Sequence, residues 1–272
     1  MRHSLFVLLF IPFLCLNCGH PADKSQSDLR AFGAGAGKRS AVVVGAPNGL
    51  SGVRTDVVKL SAALEDTGNN FYLTVAKDEN VKVRDVLDLT KQEVKDAVSL
   101  YWYFSGHGGN GVLLADDSTF TFKQVVEVIK EVRDKPLKRL VVMIDSCNSG
   151  SFVNGSSPIV DEDEKLHLML ENTFYSVLER DSELYDEALV LASSKKNESS
   201  ADLGAVKGGA FTYSLRTTLT ELREENFLAT LQDLIDGTIT MTQREGGHTP
   251  VYKAFPSEDV LSDYLFLYRP IE

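Results

Sequence analysis

Cysteine is scarce: the chain has 3 in 272 residues. Cys15 and Cys18 lie at the end of an N-terminal apolar run, so a domain beyond that run holds only Cys147. One cysteine cannot form an internal disulfide. In an oxidising compartment a lone thiol is a liability, unless it is buried and inert or has chemistry to perform. Histidine is nearly as rare, with 5 residues. His20, His167 and His248 fit no zinc-ligand spacing and read as ordinary residues. Positive charge is short as well: 28 Lys and Arg face 39 Asp and Glu, a net charge of −11. That argues against a nucleic-acid surface, which needs a basic stripe. It suits a basic substrate, and it serves solubility equally well. No internal repeat is found.

Long apolar runs are also few. Ser4 to Leu16 is almost unbroken, behind a short basic start at Arg2 and His3. The run is too short to span a bilayer and has the flanks of a secretion signal. With Cys15 and Cys18 at its end, it resembles a bacterial lipoprotein signal, in which a cysteine after the run is lipidated and becomes the mature N-terminus. Cys18 is the lipidation candidate. Residues 1–18 are therefore expected to be an export signal, either lipidated at Cys18 or simply cleaved. The mature chain would be periplasmic, anchored as a lipoprotein or secreted, with the lipid as its sole membrane contact. Residues 19–39 are polar and Gly/Ser-rich and read as a flexible tether. The "GAGAGKRS" within them is not a phosphate loop: Phe32 and Arg39 stand where that motif needs Gly and Ser or Thr.

From Ser40 onward the pattern alternates. Strands are expected at Ala41–Ala46, Phe71–Ala76, Leu100–Ser105, Leu140–Ser146, Ala188–Ser193 and Thr249–Phe255. Helical spacing covers Val53–Glu65, Val86–Val98, Phe122–Val132, Gly209–Leu222 and Phe227–Met241. The acidic stretch between Ser151 and Tyr185 reads as a long exposed loop with a helix near Leu166–Leu178. Alternating strands and helices predict an α/β domain with a mainly parallel sheet of about six strands. Continuous apolar strands predict helices on both faces.

Two strand ends carry chemistry. "YWYFSGHGGNG" sets His107 just beyond an aromatic strand, among glycines, and "DSCNSGS" sets Cys147 just beyond another. One helical segment separates the two strands, so they should be neighbours with their C-terminal ends on one edge, where open α/β sheets form sites. A thiolate at Cys147 can attack a carbonyl carbon, and His107 can protonate the leaving amine. Gly106, Gly108 and Gly109 would clear space for a peptide. The backbone N–H groups of Gly108 and Cys147 would hold the oxyanion. The alternative is a turn histidine and a core cysteine with nothing in common.

At these residues the sequence resembles the caspase-like cysteine peptidases, and among them the metacaspase branch. "YWYFSGHG" resembles the histidine block of that family and "VVMIDSCNSGS" its cysteine block. "LSGVRTDVVKLSAAL", "SSKKNESSAD" with "GGAFTYSL", and "HTPVY" are similar to further family segments. The resemblance implies the caspase-like fold over residues 40–272 and an endopeptidase cutting after Arg or Lys through a Cys–His dyad and a thioacyl intermediate. It implies an S1 pocket of Asp56, Ser105 and Asp145. Asp145 lies two residues before Cys147, so both side chains should point the same way, and a carboxylate there can pair with a substrate cation.

Asn148 and Glu198 depart from the commonest family residues. Some members bind calcium in an acidic insertion after the histidine block, but the counterpart here is short. Asp116 and Asp117 read as a hairpin turn, and neither metal nor cofactor is predicted. Calcium dependence would follow only from the resemblance. Partners are expected to be peptides or proteins with Arg or Lys at the cleaved position, met by a monomer. Processing at Lys165 or Arg180 would follow from the same specificity. The competing readings are a non-proteolytic binding scaffold that keeps the fold, and another hydrolase or transferase using the same dyad.

Overall fold

The computed structural model describes residues 38–65, 71–76, 80–109, 111–154, 178, 180–225 and 229–262, all within the unit Ala36–Glu272. The expected export signal with Cys18, the tether as far as residue 37, His20, His167, Lys165 and the bulk of the helix expected near Leu166–Leu178 lie outside them.

Six strands form the main sheet: β1 (Lys38–Ala46), β2 (Phe71–Ala76), β3 (Ala97–Gly106), β7 (Leu137–Asp145), β8 (Tyr185–Ala192) and β9 (Val251–Phe255). Their order is β2-β1-β3-β7-β8-β9. All neighbours are parallel except β9, which runs antiparallel to β8. The expected pairing of the histidine and cysteine strands holds. The register sets Ser105 beside Asp145, Ala46 beside Gly106 and Ile144 beside Ala192, so four strands end on one edge.

Alternate residues of the central strands feed two cores. Trp102, Phe104, Val142 and Ile144 point to one face, where α2 (Val83–Val94) and α3 (Phe122–Val132) cover them. Tyr101, Tyr103, Val141 and Met143 point to the other, under α1 (Val53–Glu65), α5 (Ala210–Glu225) and α6 (Leu231–Gly246). A helical turn at Ser151–Asn154 is α4. Because both faces are buried, the strands read as unbroken apolar runs rather than as alternation. The first core is an aromatic cluster: Trp102 stacks on Phe104 and meets Phe120 and Phe122 edge-on. Its indole N–H donates to Thr90 Oγ1 at 3.2 Å.

Element boundaries moved where tertiary partners decide them. The sequence spacing predicts a helix over Val86–Val98, yet α2 runs Val83–Val94. Its start is drawn forward because Asp116 and Asp117 accept from the backbone N–H groups of Val81 and Val83. Such acceptors satisfy donors that a helix start leaves open. Its end is cut because Arg133 Nη1 donates to the carbonyls of Val94 and Ala97, after which the chain enters β3. The expected turn at those two acids is borne out: Ala115 N–H donates to Ser118 O between β5 (Val112–Leu114) and β6 (Thr119–Thr121). With β4 (Gly108–Gly109) these strands form a small antiparallel sheet. β1 begins at Lys38, whose ammonium pairs with Glu93 at 3.0 Å. α6 starts at Leu231 instead of Phe227, because Thr230 and Asp233 form a capping box, and it closes on Gly247 in the left-handed region.

Candidate active site

Cys147 follows β7 in a turn that four serines hold rigid. Ser193 Oγ accepts from Ser146 N–H and donates to Ser146 O, both at 3.1 Å. Ser149 Oγ lies 3.1 Å from Ser193 Oγ and 3.2 Å from Ser194 Oγ, and it accepts from Ser194 N–H. The segment after β8 thus grips the cysteine turn from below. Its grip continues at Glu198, whose carbonyl accepts from Asn148 N–H at 2.8 Å. The Glu198 carboxylate accepts from the N–H groups of Lys195 and Thr249. Partial burial opposes its charge, but those two N–H groups and His248 outweigh that and hold it below its usual range. His248 is buried, with Nδ1 2.7 Å from Ser193 O, so it supports the same segment. Asn148 takes a positive φ of 55°, a conformation asparagine tolerates.

His107 follows β3 and is half-buried. Its Nε2 lies 3.2 Å from the carbonyl of Asn48 in the loop after β1. That bond requires the proton on Nε2 and leaves Nδ1 as the basic nitrogen. Sequence reading missed Asn48; a carbonyl acceptor leaves no trace in residue type. The flanking glycines have a closer task than clearing room for substrate. A Cβ on Gly108 would lie 2.6 Å from Ser146 Oγ, and one on Gly106 would lie 2.6 Å from Ala46 O. Glycine lets the histidine loop press onto the cysteine turn and onto β1.

His107 and Cys147 line one pocket of about 70 Å³, together with Asp56, Ser105, Asp145 and Gly209. That is room for the end of one side chain. No described hydrogen bond joins the imidazole and the thiol. Among the described residues, the one hydrogen-bond contact of the half-buried Cys147 Sγ is a long one, 4.0 Å to Ser200 O. Its backbone N–H has no acceptor among the described residues.

The two acids form the pocket floor, and both are buried. Asp145 accepts three hydrogen bonds: from Ser200 Oγ at 2.7 Å, Thr212 N–H at 3.1 Å and Thr212 Oγ1 at 2.6 Å. Asp56 accepts two, from Ser105 Oγ and Gly209 N–H, both at 2.8 Å. All three acid and hydroxyl positions expected for the S1 pocket are thus brought together. Sequence reading missed Ser200 and Thr212, which orient Asp145. It also missed Asp202, an exposed third acid that lines the pocket and accepts from Gly52 N–H at 3.2 Å. The stretch "SSKKNESSAD" contains two of these three residues and was the available signal.

Burial, followed by the Asp145 charge, pushes the Asp56 carboxyl from 3.8 up to about 8, against the pull of its two hydrogen-bond donors. The folded state then keeps a proton that the unfolded chain has lost between those values. Stability therefore falls as pH rises through that window and levels off above it. Asp56→Asn cannot titrate and should remove this slope. In urea titrations the variant should gain on the parent by up to about 1.4 kcal/mol per pH unit across the window. A difference constant with pH would rule out a neutral Asp56.

The family model for the caspase domain matches residues 38–256. Among solved structures the chain is similar to caspase-1 from Spodoptera frugiperda, with a TM-score of 0.55 and 15% identity. That match covers 85% of this chain and 89% of the other, and at this identity it speaks for the fold alone. No curated protein is significantly similar. With the family model spanning the whole described sheet and both chemistry-bearing strand ends, the chain belongs to the caspase-domain family of cysteine peptidases.

Proposed function

We propose that the chain is a cysteine endopeptidase that hydrolyses the peptide bond after Arg or Lys. The observation that carries this is a pocket with a thiol and an imidazole at its rim and two buried carboxylates in its floor. A guanidinium or ammonium seated on that floor brings the following carbonyl to Cys147. Nδ1 of His107 takes the Cys147 thiol proton, and the thiolate attacks the carbonyl carbon, forming the C–S bond. The oxyanion is taken by the Cys147 N–H, with Gly108 N–H as its partner. His107 gives a proton to the leaving amine as the C–N bond breaks. Water then attacks the thioester, His107 accepts its proton, and the thiol is restored as the acid product leaves. The chemistry calls for no metal or cofactor.

An arginyl chloromethylketone tests this directly. It should alkylate Cys147 in a one-to-one ratio, located by peptide mass. A citrulline-ended analogue, the same shape without charge, should react at least ~30-fold more slowly. Equal rates for the two reagents, or alkylation elsewhere, would sink the proposal. Labelling without any peptide hydrolysis would instead favour another hydrolase or a transferase using the same dyad, and absence of labelling a binding scaffold.

A further inference from the structure

The floor of the pocket holds two carboxylates where a monocation needs one charge. A Cβ built on Gly209 would lie 2.3 Å from Asp145 Oδ2 and 3.2 Å from Asp56 Oδ2, so the two groups converge on one point. Two carboxylates that close do not both ionise in a buried site without a cation between them. Their surroundings break the symmetry. Asp145 has three donors and Asp56 two, and donors favour the ionised form. Ser105, one of the two on Asp56, is a hydroxyl and can accept from a carboxylic acid as readily as it donates to a carboxylate. Other titratable groups face Asp56 from each neighbouring element. Tyr103 on β3 is buried and held neutral, its own ionisation pushed well up by burial and by both acids. Asp202 adds negative charge from the segment after β8. Arg216 on α5 lies within electrostatic range but sits over the ring of Tyr213, 4.8 Å from its centroid. His107 and Cys147 stand at the rim.

We infer that the pocket exchanges a proton for its cation: Asp56 is a neutral acid in the empty site and gives up its proton when a substrate Arg or Lys side chain seats between it and Asp145. The upward displacement of the Asp56 ionisation to about 8 agrees with this. The balance is simple. The Asp56 O–H bond breaks, the proton goes to solvent, and two carboxylates then share one cation. The empty pocket avoids a second buried charge, and binding of an arginine side chain becomes tighter as pH rises toward 8. This inference rests on the Arg/Lys reading above.

Isothermal titration calorimetry tests it, using the Cys147→Ala protein so that no thiol proton intervenes. The probe is an arginine-ended peptide amide, titrated at pH 7 in two buffers of different ionisation enthalpy. The buffer dependence should report release of about one proton per peptide bound. The same titration on Cys147→Ala/Asp56→Asn should show release lost. Binding without buffer-dependent heat overturns the exchange and leaves the Arg/Lys reading intact. Release that persists in the double variant assigns the proton to another group, and also overturns it. Absence of binding by the Cys147→Ala protein, checked as folded by circular dichroism, overturns the Arg/Lys reading and the exchange together.

Discussion

Cys147→Ala should lower kcat/KM for arginine-ended fluorogenic peptides by about 10⁴-fold or more, because it removes the atom that forms the acyl intermediate. Its melting temperature should stay close to the parent's. The thiol is half-buried and among the described residues makes just the long hydrogen-bond contact to Ser200 O, so its loss opens no core cavity. The turn keeps its shape through Ser146, Asn148 and Ser149, none of which depends on the sulfur. The pair of measurements is therefore clean: activity falls, stability does not. Full activity in the variant would end the case for a sulfur nucleophile. A large drop in melting temperature would show the cysteine to be a packing residue.

Asp145→Asn should reduce kcat/KM for the same peptides by about 30- to 4,000-fold, the range for losing one partner of a buried charge pair. The fold can tolerate the change. The amide oxygen can face Thr212 N–H and Oγ1, and the amide nitrogen can donate to Ser200 Oγ. The loss should depend on charge. Hydrolysis of a citrulline-ended peptide, slow in the parent, should change less than about threefold, since no ion pair is lost with it. Equal losses on both peptides would mean that Asp145 shapes the cysteine turn and does not hold a cation.

The sheet was legible because its strands are buried on both faces, which leaves runs such as "LYWYFS" and "LVVMID" with no other use. The pairing of β3 with β7 followed from chain order alone, and with it the meeting of His107 and Cys147 at one pocket. What the sequence hid are interactions that a distant segment completes. The start of α2 depends on two aspartates in a turn more than thirty residues later. The orientation of His107 depends on a backbone carbonyl. The serine grip on the cysteine turn joins residues about 45 positions apart, and small polar side chains give no periodic signal. The glycines around His107 advertised a close approach without saying to what.

The pocket floor ties Asp56 to Gly209 across 153 positions of chain and Gly52 to Asp202 across 150. No fragment ending before residue 209 owns the complete pocket floor, whatever it contains of the thiol and imidazole. If the chain is the proposed peptidase, a nascent chain would lack its arginine seat until residue 209 and the late helices have docked.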